Sequence, residues 1–384
     1  MKVVIAIDSF KGSLSSKSAA SAIKEGICNV FPKASVISLP IADGGEGTVD
    51  ALTEGLSGTK ETVKVTGPLG EKVIASYGIV NKNTAIMEIA SSAGITLVPE
   101  EKRNPLHTTT YGVGEMIKHA ISKGCRSFLI GIGGSATNDG GTGMLSSLGF
   151  EFLDENDEPI SLGAKGLQNL KSIKTDKVIP EISECTFSIA CDVSNPLCGK
   201  NGCSHIFAPQ KGADEKMIAD MDAWLENYAS LVKKINENSD KDAPGSGAAG
   251  GLGFAFSAFL GAKLQKGIDL ILEEINLEKY TKDADFVITG EGKLDSQTAM
   301  GKAPLGVAKI AKKHNVPVIA FAGAIGDEAK VLNAHGIDAF FSITNAPCTL
   351  SDAMDEKNAY NNMKNTAEQV FRVIEVIRTS IFKG

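Results

Sequence analysis

The sequence predicts an α/β fold of two domains carried by parallel sheets. Three observations predict it. Short Val/Ile/Ala runs, such as VVIAID, SVISLP, RSFLIGI and NVPVIAFAGAI, end in polar turns and give way to stretches with helical spacing, at both ends of the chain. The length, 384 residues, exceeds what one core usually organises. The composition, 42% hydrophobic and 22% charged, is that of a globular protein rather than a disordered or coiled-coil chain.

Taken in order, KVVIAID reads as a strand, and Asp8-Ser9 with a Ser-rich turn leads into the helical stretch SSKSAASAIKEGICNVF. SVISLPIADGGEGTVDALTEGL repeats strand, loop and helix, with Asp43 to Gly47 at the junction. From Thr62 to Ile89 short alternating runs separated by GPLG and VNKN predict antiparallel additions to the sheet. VPEEKRNP, with two prolines and a charge run, is the expected domain crossing. TTTYGVGEMIKHAISKGC predicts a helix started by a Thr cap, followed by the strand RSFLIGI. FSIACDVSNPLCG gives another strand end, KMIADMDAWLENYASLVKKI a long amphipathic helix, and GSGAAGGLGFAFSAFLGAKL a Gly/Ala-rich segment that is helical at its far end. DADFVITGEGKLDSQTAMGKAPLGVAKIAKKHNVPVIAFAGAI reads as strand, polar loop, helix, strand, hence a βαβ unit. IDAFFSI is a last strand, and Val370, Ile374, Ile377 and Ile381 are expected to form the buried stripe of a last helix. Strands alternating with helices at both ends predict that the first and last segments share one parallel sheet with the middle inserted. The expected boundaries are 1–97 with 287–384 for a discontinuous Rossmann-like domain, and 98–286 for the inserted α/β domain.

Composition narrows the function. A net charge of -7 without a Lys/Arg block disfavours nucleic acid as partner. VVIAID is too short for a signal-peptide core and no apolar run reaches bilayer length, so the expectation is a cytoplasmic protein without a membrane partner. Seven scattered cysteines fit reduced thiols, and Cys198, Cys203 and His205 in CGKNGCSH match no common zinc spacing.

In open α/β sheets ligands bind beyond the carboxyl ends of the strands. Those ends offer Asp8, Ser9 and Lys11; Asp43 and Glu46; Asn138 and Asp139; Asp192; and Glu291, Lys293 and Asp295. Carboxylates hold a hard cation, glycine-loop N–H groups and lysines hold phosphate oxygens, and one carboxylate is left to orient an attacking hydroxyl. Alone, Asp8 or Asp43 reads as a helix cap, Lys11 as a solvated charge, and the glycines of 245–253 as a close helix contact. It is their repetition at several strand ends that points to magnesium and a polyphosphate. GIGGSATNDGGTGML, directly behind a strand, has more small residues than a turn needs, which suits a backbone that a phosphate approaches closely. No G-x-x-x-x-G-K-[ST] and no H-R-D loop occurs, so neither a P-loop NTPase nor a protein kinase fits. Gly131 to Ala136 also satisfies G-x-G-x-x-A with Glu151 downstream for a ribose contact, so an NAD(P)-dependent oxidoreductase of a small hydroxy acid is the rival reading.

DSFKGSLS, ADGGEGT, RNPLHTTTYGVGE, GIGGSATNDGG, CDVSNPLCG, GSGAAGGLG and ITGEGKLDSQTAMGK, in this order and nearly end to end, resemble the bacterial glycerate kinase family of the glycerate 2-kinase type. His107 and Cys203 stand where the family is expected to carry an Arg and a small residue. The resemblance implies transfer of the γ-phosphoryl of ATP to D-glycerate with Mg2+, the 2-phosphate being the favoured product, on a two-domain α/β fold. It implies phosphate binding by Gly133, Gly134, Ser135, Thr137 and Asp139, with Gly290 and Lys293 also on the nucleotide. Asp192 and Asp295 would serve magnesium. Lys11 would meet the charge of the transferring phosphoryl, Asp8 or Asp43 would orient the hydroxyl, Asp192 would complete the catalytic set, and Arg103 would fork onto the glycerate carboxylate, with Ser9, Glu46 and Asn138 as further substrate contacts. Homodimer and monomer both stay open.

Overall fold

The computed structural model describes residues 1–42, 47–299 and 302–381. Along the chain its strands are β1 (Lys2–Ile7), β2 (Ser35–Pro40), β3 (Thr59–Thr66), β4 (Lys72–Val80), β5 (Thr84–Glu88), β6 (Ser127–Gly131) and β7 (Glu151–Leu153). They continue with β8 (Ser172–Lys174), β9 (Thr186–Ala190), β10 (Lys263–Gln265), β11 (Phe286–Leu294), β12 (Val318–Ile325) and β13 (Ala339–Ser342). The chain forms two compact units, Met1–Asp43 with Glu54–Leu56 and Ile271–Gly384, and Gly44–Thr53 with Ser57–Leu270.

The first unit is built on a parallel five-stranded sheet in the order β13-β12-β11-β1-β2. Val4 sits opposite Val287 on one side and Ile37 on the other, so the first and last segments do share one sheet. Helix Ser16–Val30 is started by Ser15, whose hydroxyl accepts the Ser18 N–H, and buries Ala19, Ile23 and Ile27 against Ile5 and Ile7. The C-terminal helix Glu356–Ile381 packs beside it, and the helices approach so closely that a Cβ on Gly26 would stand 2.4 Å from the Lys364 carbonyl oxygen. The buried stripe of that last helix is Ala359, Met363, Ala367 and Phe371, not the predicted one. Val370 and Ile374 are half-buried, Ile377 is exposed, and the side chain of Ile381 lies outside the described residues.

The second unit carries a six-stranded sheet, β10-β9-β6-β5-β4-β3, parallel from β10 to β5 and antiparallel from β5 to β3. The predicted antiparallel strands exist, but they extend this sheet. Residues 57–97, expected with the first domain, belong to the second unit, because β5 lies beside β6 with Ile86 opposite Leu129. VPEEKRNP is therefore no crossing, and the Ile95 N–H beside it donates to the Gly134 carbonyl. The later boundary falls at 270/271 rather than 286/287, since helix Leu277–Thr281 packs on helix Ala303–Lys313 of the first unit. The aromatic core of the second unit includes a stacked Phe128–Phe187 pair, 4.9 Å between centroids.

No helix among the described residues is long and apolar enough to cross a membrane.

Candidate active site

Both sheets present polar side chains where their parallel strands end, and each unit has its own cavity there. That of the second unit, about 400 Å³, is lined by the turn Gly133-Gly134-Ser135 after β6, by Asp192 and Val193 after β9, by Lys211, and by Ala248 and Ala249. Gly133 and Gly134 are exposed. A Cβ at Gly133 would meet nothing within 4 Å, so no contact within the chain requires glycine there; Gly134 needs it for a φ of +69°. Ala249 holds a φ of +52° in the opposite wall.

The rest of the glycine motif faces inward. Thr137, Asn138 and Asp139 are fully buried behind the turn and are not among the residues lining this cavity. The Asp139 carboxylate accepts the Thr110 N–H and hydroxyl, both at 2.9 Å, and the Gly141 N–H at 3.1 Å. Thr110 is therefore tied to the loop and gives no side-chain cap to helix Tyr111–Ser122. Burial raises the Asp139 carboxyl above the usual range, against these hydrogen bonds. Asn138 donates to Ser204 Oγ at 3.0 Å, and its Oδ1 has no partner among the described residues. The two glycine-rich segments pack on one another: the Gly140 N–H donates to the Gly250 carbonyl, and a Cβ on Gly250 would lie 2.1 Å from the Thr137 oxygen.

Lys211 was not foreseen, because a lysine in FAPQKGAD carries no motif. It is 3% exposed, and its Nζ donates to Ser135 Oγ at 2.8 Å and to the Thr137 carbonyl at 2.7 Å. Burial pushes its ammonium down to about 8. Arg103 is absent from the cavity wall; its backbone lies against Gly212, beside Lys211, and its Nε is buried without a partner among the described residues. Asp192 is exposed and accepts the Gly267 N–H at 3.1 Å. Glu88, another unforeseen carboxylate, ends β5, is raised by burial, and accepts the Val49 N–H at 3.0 Å at the start of the helix behind ADGGEG. Burial likewise raises the Cys198 thiol, and Cys203 to about 12, so neither offers a thiolate.

The first unit's cavity, about 530 Å³, brings together Asp8, Ser9 and Lys11 after β1 with Glu291, Lys293 and Asp295 of β11 and its end, and adds Lys302. Its apolar wall includes Ile343, Leu350 and Met354. Asp8 is nearly buried, donates its backbone N–H to Gly290 and accepts the Ser9 N–H at 2.6 Å. Lys293 Nζ stands 3.4 Å from Asp295, and the buried Glu291 accepts the Thr298 hydroxyl. Gly290 is not in the wall: it is glycine because a Cβ would meet the Phe321 oxygen at 2.0 Å, which corrects its assignment to nucleotide. Asp43 and Glu46 lie outside the described residues. Asp192 belongs to the second unit and Asp295 to the first.

The structure gives the oxidoreductase reading no ribose contact. Glu151 starts β7 in a two-stranded antiparallel ribbon with β8 and pairs with Lys177, instead of ending the next parallel strand.

A sequence model of the Glycerate kinase family matches residues 3–375. The chain is 47% identical to the glycerate 2-kinase of Escherichia coli K12 over 377 residues, covering 98% of each, and 45% identical to the glycerate kinase of Bacillus subtilis 168, covering 99% of each. A crystal structure from Salmonella typhimurium LT2, assigned as a glycerate kinase 2, superposes with a TM-score of 0.89 at 46% identity over 99% of both chains. The chain belongs to the glycerate kinase family.

Proposed function

We propose that the protein is a cytoplasmic enzyme that transfers the γ-phosphoryl of ATP to the 2-hydroxyl of D-glycerate. Full-length similarity to glycerate kinases carries this reading, and the glycine turn that opens onto a cavity with a buried lysine supports it. The nucleotide phosphates lie on the Gly133–Ser135 turn. In the first unit, taken by itself, Lys11 is the candidate for charge that grows on the phosphoryl oxygens, Asp8 for the acceptor hydroxyl and Lys293 for added charge on the nucleotide. Arg103, whose Nε has no partner among the described residues, is the candidate cation for the glycerate carboxylate; Ser9, in the first unit, keeps its sequence-based role as a substrate contact. Asp43 and Glu46 keep their sequence-based roles at the hydroxyl and on the substrate.

Among the described residues no three His, Cys, Asp or Glu side chains gather as a metal cage. Asp192 in the second unit and Asp295 in the first each offer a single carboxylate, the kind of ligand that would hold a magnesium ion otherwise completed by phosphate oxygens. Bound there, the ion supplies charge neutralisation to the phosphates.

The test is ADP release on mixing the protein with ATP, Mg2+ and D-glycerate, followed by phosphorus NMR of the product. The expected signal is a phosphate coupled to the single C2 proton. ADP release independent of glycerate would overturn the reading, and a phosphate coupled to the C3 methylene would move the acceptor to the 3-hydroxyl.

A further inference from the structure

Lys211 is the one lysine that the described residues bury to 3% exposure, and no sequence motif accounts for it. It lies in the turn Pro209–Lys211, lines the cavity of the second unit, and spends two N–H bonds on the turn that faces that cavity, at Ser135 Oγ and the Thr137 carbonyl. An ammonium has three donors, and the third has no acceptor among the described residues. Because Ser135 Oγ accepts from Lys211, its own proton is free to be donated elsewhere. One buried cation thus fixes the hydroxyl beside Gly133 and Gly134.

We propose that Lys211 is the counter-ion of this cavity: with two N–H bonds on the turn and one left over, its ammonium holds a phosphate group against Gly133–Ser135. This rests on the assignment of the nucleotide phosphates to that turn. The charged groups around the amine are few. Asp139, behind the turn, already accepts from Thr110 and Gly141. Cys203, on the helix Cys203–Phe207 before the turn, is held protonated by burial. Asp192 lines the same cavity without an ion pair to the amine, and Arg103 lies against the adjoining Gly212 through its backbone. Ala248 and Ala249 add no charge.

In the free protein the ammonium loses its proton near 8, whereas a phosphate beside it favours the charged form. Binding therefore takes up a proton at alkaline pH. The sign follows: as far as Lys211 is concerned, affinity levels off below its own titration and falls by up to tenfold per pH unit above it, until the titration of the complex is reached. A phosphate monoester titrates near 6, so ADP keeps a constant charge over pH 7.5–9.5.

The experiment is calorimetry of ADP binding to the full chain over that range. At pH 8.5, in two buffers of different ionisation enthalpy, wild type should take up a net fraction of a proton per ADP; no uptake anywhere over pH 7.5–9.5 overturns the proposal without any variant. Lys211→Arg keeps the charge and should bind ADP with an affinity flat in pH, whereas Lys211→Met should bind at least tenfold more weakly and also without a slope. A wild-type slope persisting in a folded Lys211→Met overturns the proposal. Gly133→Asp, which places a carboxylate in open space, separates the two claims: if it binds ADP like wild type, the phosphates are not on this turn and the assignment itself fails. If it loses ADP while Lys211→Met behaves as wild type, only the role of Lys211 fails.

Discussion

The two strand-end turns solve the same problem, presenting charge at the edge of a parallel sheet, in opposite ways. After β6 the small residues divide: Gly133 and Gly134 are open, while everything from Thr137 to Gly143 is packed inward, and the cation is the immobilised Lys211. After β1 and β11 the carboxylates Asp8 and Glu291 are nearly buried, but the cations reach outward, Lys11 exposed and the Lys293 side chain 63% exposed. A fixed cation with preset partners suits binding a group that stays in place. The less buried lysines of the first unit, Lys293 among them at 3.4 Å from Asp295, have longer reach and more room to shift with charge that moves during a reaction.

The sharpest way to break this contrast is Lys11→Ala. If Lys11 meets charge that grows in the transition state, its removal lowers kcat more than it raises either KM. The expected loss is about 2.7 to 4 kcal/mol, roughly a hundredfold to a thousandfold in kcat. Stability, read as the urea midpoint, stays close to wild type because an exposed turn lysine supports little core. A variant keeping a third or more of kcat would make Lys11 an ordinary solvated charge.

Within the second unit the same logic separates two kinds of glycine. Gly250 has a φ of +67°, and a Cβ there would lie 2.1 Å from the Thr137 oxygen and 2.6 Å from Asn138 Cα. Backbone on both sides leaves nothing flexible to yield, so Gly250→Ala should cost about 3 kcal/mol in urea unfolding. Gly133→Ala meets nothing and should stay within about 0.5 kcal/mol while raising the KM for ATP. Equal stability losses would merge the two classes, and unchanged ATP kinetics for Gly133→Ala would remove the turn from the nucleotide site.

The sequence shows the strand-turn-helix alternation well because it is a local signal, repeated in each element. It misassigned residues 57–97 because antiparallel pairing is equally satisfied by either sheet, and only the register of β5 beside β6 decides it. In the site, chain-end polarity identified Asp8, Lys11, Glu291 and Asp295, which share one cavity. It did not distinguish Thr137, Asn138, Asp139 and Gly290, which are buried or packed, since a small or polar residue at a strand end looks alike whether it faces a cavity or the packing of another loop. It had no access to Lys211, whose significance arises only when the turn at 209–211 is folded onto Ser135.

The smallest expected effect concerns the C-terminal helix, where a stripe at helical spacing was placed on the wrong face. That helix carries two adjacent apolar rows, one with Ala359, Met363, Ala367 and Phe371, the other with Val370, Ile374 and Ile377. Composition favours the β-branched row, but close approach to helix Ser16–Val30, where Gly26 nearly touches the Lys364 backbone, selects the row with two alanines. A small side chain lets the helices meet, and Phe371 fills the far end beside Phe31, with ring centroids 6.4 Å apart at 79°. Ile377 is left 53% exposed. Isoleucine and serine have similar helix propensities, so Ile377→Ser should change the unfolding free energy by less than about 0.5 kcal/mol. Truncating a buried isoleucine costs about 2 to 5 kcal/mol, and a loss of that size in urea unfolding would return Ile377 to the core and overturn the register of this helix.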